Sequence, residues 1–325
     1  MLLRHPVSLR RTMETQTPID RIINHIQINK MTNSKNSSTV LVAGATGYLG
    51  SEICRQLISK NKNVKGLVRA TSDSNKVAHL KELGVETIEG DLKDKRSLEN
   101  ALQGISAVIS TVSSTFSRQE GDSIQTVDDE GQINLIEAAK TAGISQFVYI
   151  SFCALGGCPL QTAKRKAEKH LVESDLNYTI LQPTYFMEVW LSPLLGFDYP
   201  NNKANIYGKG KNKISWISMK DVASIAVASL DNPAAKNKII ELGGPEALSP
   251  LEVVNIFEST KNIKFELQFV PEEALQAQKD GAQDALSESF AALTLGVVNG
   301  SEIDIKKMVE VFSIQLTSVT DYAKS

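Results

Sequence analysis

The chain has 325 residues, a formal net charge of −2 and only three cysteines. A composition of 42% hydrophobic and 22% charged residues is typical of a globular protein and excludes a disordered or fibrous one. The near-neutral charge argues against nucleic-acid binding, and no apolar run reaches the roughly 18 residues of a membrane span. The irregularly spaced Cys54, Cys153 and Cys158 predict neither a disulfide framework nor a metal site, so a reducing, cytoplasmic location is favoured.

Residues 1–38 show little periodic apolar pattern and predict a disordered leader or an over-extended start site, with Met31 as the alternative first residue. The first dozen residues hold three arginines and no acid, which faintly resembles a transit peptide. Glu14 and Asp20 then break that pattern. Organelle import therefore stays open as an alternative to a cytoplasmic protein.

Apolar runs and amphipathic segments alternate along residues 39–183 and predict a doubly wound, parallel α/β sheet of the Rossmann type. Residues 184–325 predict a smaller α/β substrate lobe interleaved with that domain. Within it, 192–213 reads as a loop-rich excursion and 272–295 as helical. The predicted strands are 39–43, 64–69, 85–89, 107–112, 146–151 and 178–182, and the predicted helices are 49–59, 76–83, 97–102, 131–141 and 162–173.

The segment "VLVAGATGYLG" places three glycines between the first strand and the first helix. Glycines allow a tight turn and a close backbone approach, while the helix start offers free N–H groups and a partial positive charge. This arrangement predicts a turn that binds the pyrophosphate of a dinucleotide. The predicted binding residues are Gly44, Thr46, Gly47, Tyr48, Leu49 and Gly50.

The ends of the next strands predict the rest of the cofactor site. Arg69 stands where many NAD sites carry an acid, and a guanidinium can pair with a 2′-phosphate, so NADP(H) is favoured over NAD(H). Asp91 and Leu92 are expected beside the adenine, and Thr111 and Val112 beside the ribose and nicotinamide. The alternatives are a solvated strand-end role for Arg69 and a turn or helix-cap role for Asp91.

Several segments together resemble the short-chain dehydrogenase/reductase superfamily in its atypical NmrA-like branch: "VLVAGATGYLG", "GLVRA", "EGDLKD", "GQINLIEAAKTAGISQFVYIS", "AKRKAEKHLVESDLNYTILQPTYFME", "ISMKDVA" and "ELGGPEALSPLEVV". They span residue 39 to about residue 255. The resemblance implies an NADP-binding Rossmann domain with a small C-terminal lobe. It does not imply one reaction, because the branch contains quinone reductases, isoflavone-reductase-like enzymes and redox sensors without chemistry.

The catalytic Tyr-x-x-x-Lys pair of that superfamily is incomplete, because Leu160 stands at the tyrosine position before Lys164. Helical spacing puts Lys164 beside a buried stripe that includes Ala163 and Ala167, so its side chain is expected to point inward, with Glu168 as a possible ion-pair partner. Isoflavone-reductase-like enzymes also keep only the lysine. The resemblance implies that Lys164 binds the nicotinamide ribose, acts as a general base, or does both. A structural lysine is the alternative.

Tyr185, Phe186 and Met187 follow the sixth strand and predict the substrate pocket, with plain core packing as the alternative. Two functions remain open. One is an NADPH-dependent reductase of a small carbonyl, enone or quinone. The other is a catalytically silent NADP(H)-sensing regulatory or assembly protein with a protein partner. The missing tyrosine favours the second, and the retained Lys164 favours the first, so whether the chain is an enzyme is left open.

Overall fold

Seven parallel strands form the central sheet of this computed structural model, which describes residues 38–116 and 119–325. The predicted leader, apart from Ser38, lies outside the described residues. The strands of the central sheet are β1 (Thr39–Ala43), β2 (Asn63–Val68), β3 (Glu86–Glu89), β4 (Ala107–Ser110), β5 (Gln146–Ile150), β6 (Tyr178–Pro183) and β9 (Lys238–Leu242). A second sheet consists of β7 (Phe197–Asp198), β8 (Lys203–Tyr207) and β10 (Glu266–Val270).

Helices cover both faces of this sheet and build much of the smaller lobe. They are α1 (Tyr48–Ser59), α2 (Ser74–Glu82), α3 (Lys95–Ala101), α4 (Glu130–Thr141), α5 (Pro159–Val172), α6 (Met187–Trp190), α7 (Met219–Ser229), α8 (Pro250–Lys261), α9 (Glu272–Asp280), α10 (Ala285–Asn299), α11 (Lys306–Val311) and α12 (Val319–Lys324). A π-helical segment, Ile124–Asp129, leads directly into α4.

The strand order is β3-β2-β1-β4-β5-β6-β9, and every adjacent pair in this sheet is parallel. Successive residues of β1 point to opposite faces, with Val40 and Val42 packing against α1 and α7 and Leu41 and Ala43 against the layer of α3, α4 and α5. Both faces are therefore buried, as the continuous apolar strands predict. The predicted Rossmann-type α/β class is confirmed.

The order of the strands reverses between β1 and β4, which lie side by side at the centre of the sheet. In open α/β sheets, ligands bind in the crevice outside the carboxyl ends of the strands at this switch point. Since all seven strands are parallel, the residues that follow β1, β2, β3 and β4 share one edge. The fold thus gathers segments that are distant in the sequence.

The smaller lobe holds the main departures from the predicted elements. The segment 192–213, predicted as loop-rich, contains β7 and β8; β8 pairs with both β7 and β10 in a three-stranded sheet. The helical segment predicted over 272–295 is two helices, because α9 ends at Gly281 and Asp284 caps the start of α10 through the amides of Leu286 and Ser287. The π-helical segment before α4 has no counterpart in the predicted elements.

The chain after residue 183 contributes to the central sheet as well as to the lobe, because β9 pairs with β6 and α7 packs against α1. The division of the chain at residue 183 remains a proposal. Among the described residues, no helix is both long and apolar enough to span a membrane.

Candidate dinucleotide site

The turn between β1 and α1 is tight because two of its positions have no room for a side chain. Gly44 has a φ of +83°, and a Cβ there would come within 2.5 Å of Oγ1 of Thr111. A Cβ on Gly50 would overlap the carbonyl oxygen of Gly44. The glycines therefore let the start of α1 pack directly on the end of β1 and beside the end of β4.

The first turn of α1 offers its N–H groups to an anion. Its cap residue, Gly47, has no side chain to satisfy them, and no acidic residue lies in the first turn. Gly47 and Tyr48 are exposed, Thr46 is half-buried, and Leu49 is buried in the core. An uncapped helix start beside a tight glycine turn fits a diphosphate, because free N–H groups and the helix dipole both favour negative charge.

The end of β4 is fastened to this turn. Thr111 donates its backbone N–H to the carbonyl of Ala43 at 3.0 Å, and its hydroxyl lies 3.2 Å and 3.4 Å from the carbonyl oxygens of Ala43 and Gly44. Val112 is the next residue along and is half-buried. Both predicted β4-end residues thus lie at the switch point of the sheet.

Lys164 reaches this same edge from α5. Its side chain is buried, and its Nζ donates to the carbonyl of Val112 at 3.4 Å. Nζ also lies 3.4 Å from Oδ1 of Asp128 and 5.4 Å from the centre of the Tyr149 ring. The inward direction predicted from the helical stripe is what the structure shows.

Asp128, which is absent from the predicted site, is the counter-charge of Lys164. It lies fully buried in the π-helical segment, and its Oδ2 accepts the N–H of Ser114 at 2.9 Å and the hydroxyl of Ser114 at 2.6 Å. Only the second oxygen, Oδ1, then faces the ammonium group. The sequence "VDDEG" does not distinguish Asp128 from Asp129, which instead pairs with Lys166 at 2.7 Å.

Tyr149 lies beneath this ion pair and does not replace the missing tyrosine. Its ring is fully buried in β5, and its hydroxyl has no hydrogen-bond partner among the described residues. Burial first, and then the Asp128 carboxylate, raise the pKa of Tyr149 well above its ordinary value. Its complete burial in β5 makes this phenol part of the packing under the site.

The expected pairing of Lys164 with Glu168 is not found. Glu168 pairs instead with Arg165 and accepts both hydrogen bonds of the Gln182 amide group. Arg165 also donates to the carbonyl of Phe152 at 2.8 Å. The error comes from treating the helix as isolated, because β6 and the segment after β5 supply partners that helical spacing cannot reveal.

Arg69 and Asp91 lie at the ends of β2 and β3, as predicted, but both have internal partners. The Arg69 guanidinium pairs with the buried carboxylate of Asp122 at 2.6 Å. Asp91 accepts the N–H of Lys93 at 2.9 Å, which is turn geometry, while its side chain remains half-exposed. Leu92 is buried, close to Gly131 of α4.

The three predicted pocket residues lie at the base of the smaller lobe. Tyr185 and Met187 are fully buried, and the Tyr185 hydroxyl donates to the carbonyl of Leu293 at 2.9 Å. Phe186 is half-buried. A nearby cavity beside Trp190 and Trp216 has a volume of about 30 Å³, which is room for a water molecule rather than a substrate. The pocket assignment remains a prediction.

A doubly wound parallel sheet with a glycine turn at its switch point defines the Rossmann class of dinucleotide-binding proteins. The model of the NmrA-like family matches residues 36–323, and the chain belongs to that family. The predicted resemblance is thereby confirmed.

Curated relatives include both enzymes and assembly factors. Photosystem II assembly factor Ycf39 of Synechocystis is 32% identical over 240 residues, covering 71% of this chain and 70% of that protein. NAD(P)H azoreductase of Xenophilus azovorans is 31% identical over 265 residues, covering 78% of this chain and 86% of that protein. Each of the two functions left open by the sequence therefore has relatives.

Solved structures share the fold. Leucoanthocyanidin reductase of Vitis vinifera, in a binary complex with NADPH, has a TM-score of 0.73 at 20% identity, covering 88% of this chain and 98% of that one. NADPH-dependent quinone oxidoreductase QOR2 of Escherichia coli, complexed with NADPH, has a TM-score of 0.71 at 23% identity, covering 87% and 98%. At these identities the likeness concerns the fold.

Proposed function

We propose that this protein binds NADP(H) and reduces a small carbonyl, enone or quinone compound. The observation that carries the proposal is the buried ammonium of Lys164, held at the carboxyl end of β4 by Asp128 and the Val112 carbonyl. A buried ion pair costs desolvation energy and is a weak device for stability alone. Its position at the switch point, where a dinucleotide is expected, favours a functional role.

Each part of the proposed site has a distinct task. The glycine turn and the start of α1 bind the diphosphate, and Thr111 and Val112 border the ribose and nicotinamide. Lys164, as a donor, holds a ribose hydroxyl or a substrate oxygen. NADPH, when bound, would supply a hydride to a substrate carbon, so the protein's contribution is to orient the reactants and to place positive charge near the substrate oxygen that becomes negative.

We assign the preference for NADP(H) over NAD(H) to Arg69. A guanidinium at the end of β2 can pair with a 2′-phosphate, whereas a carboxylate there would repel it. Replacing Arg69 with Asp is expected to shift preference toward NAD(H). An unchanged ratio of NADPH to NADH affinity would contradict the assignment.

The function is tested by fluorescence titration with NADPH and NADH, followed by assays of NADPH oxidation with quinones, enones and azo compounds. We expect tighter binding of NADPH and turnover of at least one acceptor class. Absence of binding would contradict the whole proposal. Binding without turnover on any acceptor would contradict the enzyme alone.

A silent NADP(H)-sensing or assembly protein is the second candidate. It is supported by Leu160 at the tyrosine position and by the similarity to Ycf39, whose name describes an assembly factor. This function predicts NADPH binding with no acceptor turnover, and binding to a protein partner that changes with the NADPH to NADP ratio. Partner binding that ignores the cofactor would contradict it.

A cytoplasmic location is proposed from composition, with organelle import as the alternative raised by the arginines near the start of the chain. A fluorescent-protein fusion to the full chain tests this directly. Cytoplasmic fluorescence is expected, and accumulation in an organelle would favour import.

A further inference from the structure

Two cations from neighbouring strand ends converge on one buried carboxylate. Arg69 follows β2 and Lys93 follows β3, and each places a side-chain nitrogen 2.6 Å from Asp122, on Oδ2 and Oδ1 respectively. The backbone N–H of Gln119 also donates to Oδ2 at 3.0 Å. Burial acts to raise the pKa of Asp122, but the hydrogen bonds from Lys93, Arg69 and Gln119 outweigh it and hold the pKa below its ordinary value.

Exposure differs sharply across this cluster. The side chain of Asp122 is 1% exposed, whereas Arg69 is 23% and Lys93 is 28% exposed. The carboxylate therefore lies behind the cations, and the cations carry the surface that a ligand meets. The Asp91 carboxylate also lies 3.8 Å from the Lys93 ammonium, so two carboxylates balance the two cations, and what the cluster offers a ligand is a pair of adjacent, partly exposed cationic donors.

The segment carrying Asp122 is fixed to the end of β2 at a second point. The amide group of Gln119 donates to the Thr71 carbonyl at 2.9 Å, and the Thr71 hydroxyl donates back to Oε1 of Gln119. Asp122 is thus held in place by contacts other than those to the cations. Its position defines where the two cations sit.

We propose that Lys93 is a second ligand of the adenosine 2′-phosphate, beside Arg69, and that Asp122 is a positioning residue that holds the two cations side by side. The inference rests on the proposed NADP(H) function and adds residues that the sequence pattern does not indicate. A phosphate monoester carries close to two negative charges at neutral pH and several acceptor oxygens, which match a pair of adjacent cationic donors. NADH lacks this group and gains nothing from Lys93.

The test compares dissociation constants of NADPH and NADH for the full chain and for Lys93→Met. The variant keeps the aliphatic stem and loses the charge. We expect NADPH affinity to fall by about tenfold, the loss of one charge-assisted hydrogen bond, while NADH affinity changes less than about twofold. Lys95→Met, an exposed lysine at the start of α3, is the matched control and should leave both affinities unchanged.

The Asp122→Asn variant distinguishes two roles of Asp122: positioning the two cations, or competing with the 2′-phosphate for them. If Asp122 positions the cations, NADPH binding weakens and NADH binding does not. If the carboxylate instead occupies the place of the 2′-phosphate, NADPH binding tightens, which would overturn the positioning role. Thermal unfolding without ligand checks that Asp122→Asn folds. If Asp122→Asn does not fold, Lys93→Met still tests whether Lys93 binds the 2′-phosphate.

Failure of this inference is separable from failure of the proposed function. A wild-type chain that binds neither nucleotide contradicts the function itself. A wild-type chain that prefers NADPH, loses that preference in Arg69→Asp and keeps it in Lys93→Met contradicts the role of Lys93 alone.

Discussion

A buried ammonium group needs a counter-charge. For Lys164 that charge is the Asp128 carboxylate, which Ser114 holds in one orientation. Both hydrogen bonds from Ser114 fall on Oδ2 of Asp128, so Oδ1 is left to the lysine. Removing one member of such a pair strands the other charge in a medium of low polarity. The two residues therefore act as a unit.

Asp128→Asn is expected to lower the free energy of unfolding by about 3–5 kcal/mol, because it leaves the Lys164 ammonium buried without its partner. Urea denaturation measures the change, and the double variant with Lys164→Met should recover part of the loss. The matched control is Asp129→Asn, whose partner Lys166 has a 57% exposed side chain. Equal losses in the free energy of unfolding for Asp128→Asn and Asp129→Asn would contradict the view that the buried Lys164 depends on Asp128.

Lys164→Met is expected to lower acceptor-dependent NADPH oxidation by about 100-fold or more, in line with the loss of a group acting at the reacting centre. Lys166→Met, two residues further along α5, removes a more exposed lysine and should leave turnover nearly unchanged. Steady-state kinetics with saturating NADPH measures both. Similar activity in the two variants would remove Lys164 from the chemistry.

At the scale of single residues, the sequence predicts only the lysine of the buried pair Lys164–Asp128. The inward direction of Lys164 follows from the stripe of small apolar residues on α5. Asp128 is far away in the sequence and belongs to a π-helical turn, for which neither spacing nor composition gives a signal. Lys93 and Asp122 escape prediction for the same reason, since only the sheet brings their segments together.

Among the elements, the turn between β1 and α1 places the strongest demand on residue type. The start of the helix lies against the carbonyl of Gly44, so even a methyl group at Gly50 would overlap that oxygen. Backbone atoms cannot rotate out of the way as a side chain can. At Gly47, by contrast, a Cβ would sit 3.2 Å from the same oxygen and the φ of −79° suits any residue.

Gly50→Ala is therefore expected to abolish NADPH binding and to lower the thermal midpoint by several degrees, because the helix start must move away from the strand. Gly47→Ala is its matched control and should reduce affinity only mildly. Differential scanning fluorimetry with and without NADPH gives both quantities. Equivalent behaviour of the two alanine variants would show that close packing is not what the glycines provide.

The predictable elements are the ones with strong local patterns. Within residues 39–183, the observed buried strands and amphipathic helices begin and end within a few residues of their predicted bounds. The short strands β7 and β8 lack a pattern of their own and depend on β10, some 60 residues along the chain from β8. The break at Gly281 is marked by local signals, a glycine after α9 and an aspartate that caps α10, which the prediction of 272–295 as helical did not use.

On the scale of the whole molecule, the end of the chain is tied back to the core. The Asp221 carboxylate of α7 accepts the Thr317 N–H at 2.7 Å and the Thr317 hydroxyl at 2.9 Å. Burial raises the pKa of Asp221, although those hydrogen bonds and the charge of Lys220 oppose the rise. The segment leading into α12 is thereby held against the layer that covers the sheet.

This raised pKa predicts a pH dependence of stability. The folded protein keeps the Asp221 proton at pH values where the unfolded chain has lost it, so this group's stabilisation is full below its ordinary value of 3.8 and is lost as the pH rises through the folded pKa. Asp221→Asn has no such loss. The stability of the variant relative to wild type should therefore increase with pH across that window and then level off.

Urea denaturation over a pH series from the ordinary value to neutrality measures the difference. Asp231→Asn is the control, because its carboxylate is 70% exposed and pairs with Lys62 at the surface. That control should give a nearly constant difference. A constant difference for Asp221→Asn, or one that falls with pH, would contradict the assignment.

After β6 the chain crosses more than once between the central sheet and the smaller lobe, and this path bears on what a cut in the backbone would do. The chain leaves the sheet at Pro183, returns as α7 and β9, leaves again into α8 and β10, and returns as α11. A cut in the exposed stretch around Lys211 would divide the molecule between β8 and α7, yet each piece would hold strands of the same sheet. The two fragments should stay together through native purification and separate only when unfolded. The protein is thus a natural candidate for assembly from two separately produced halves.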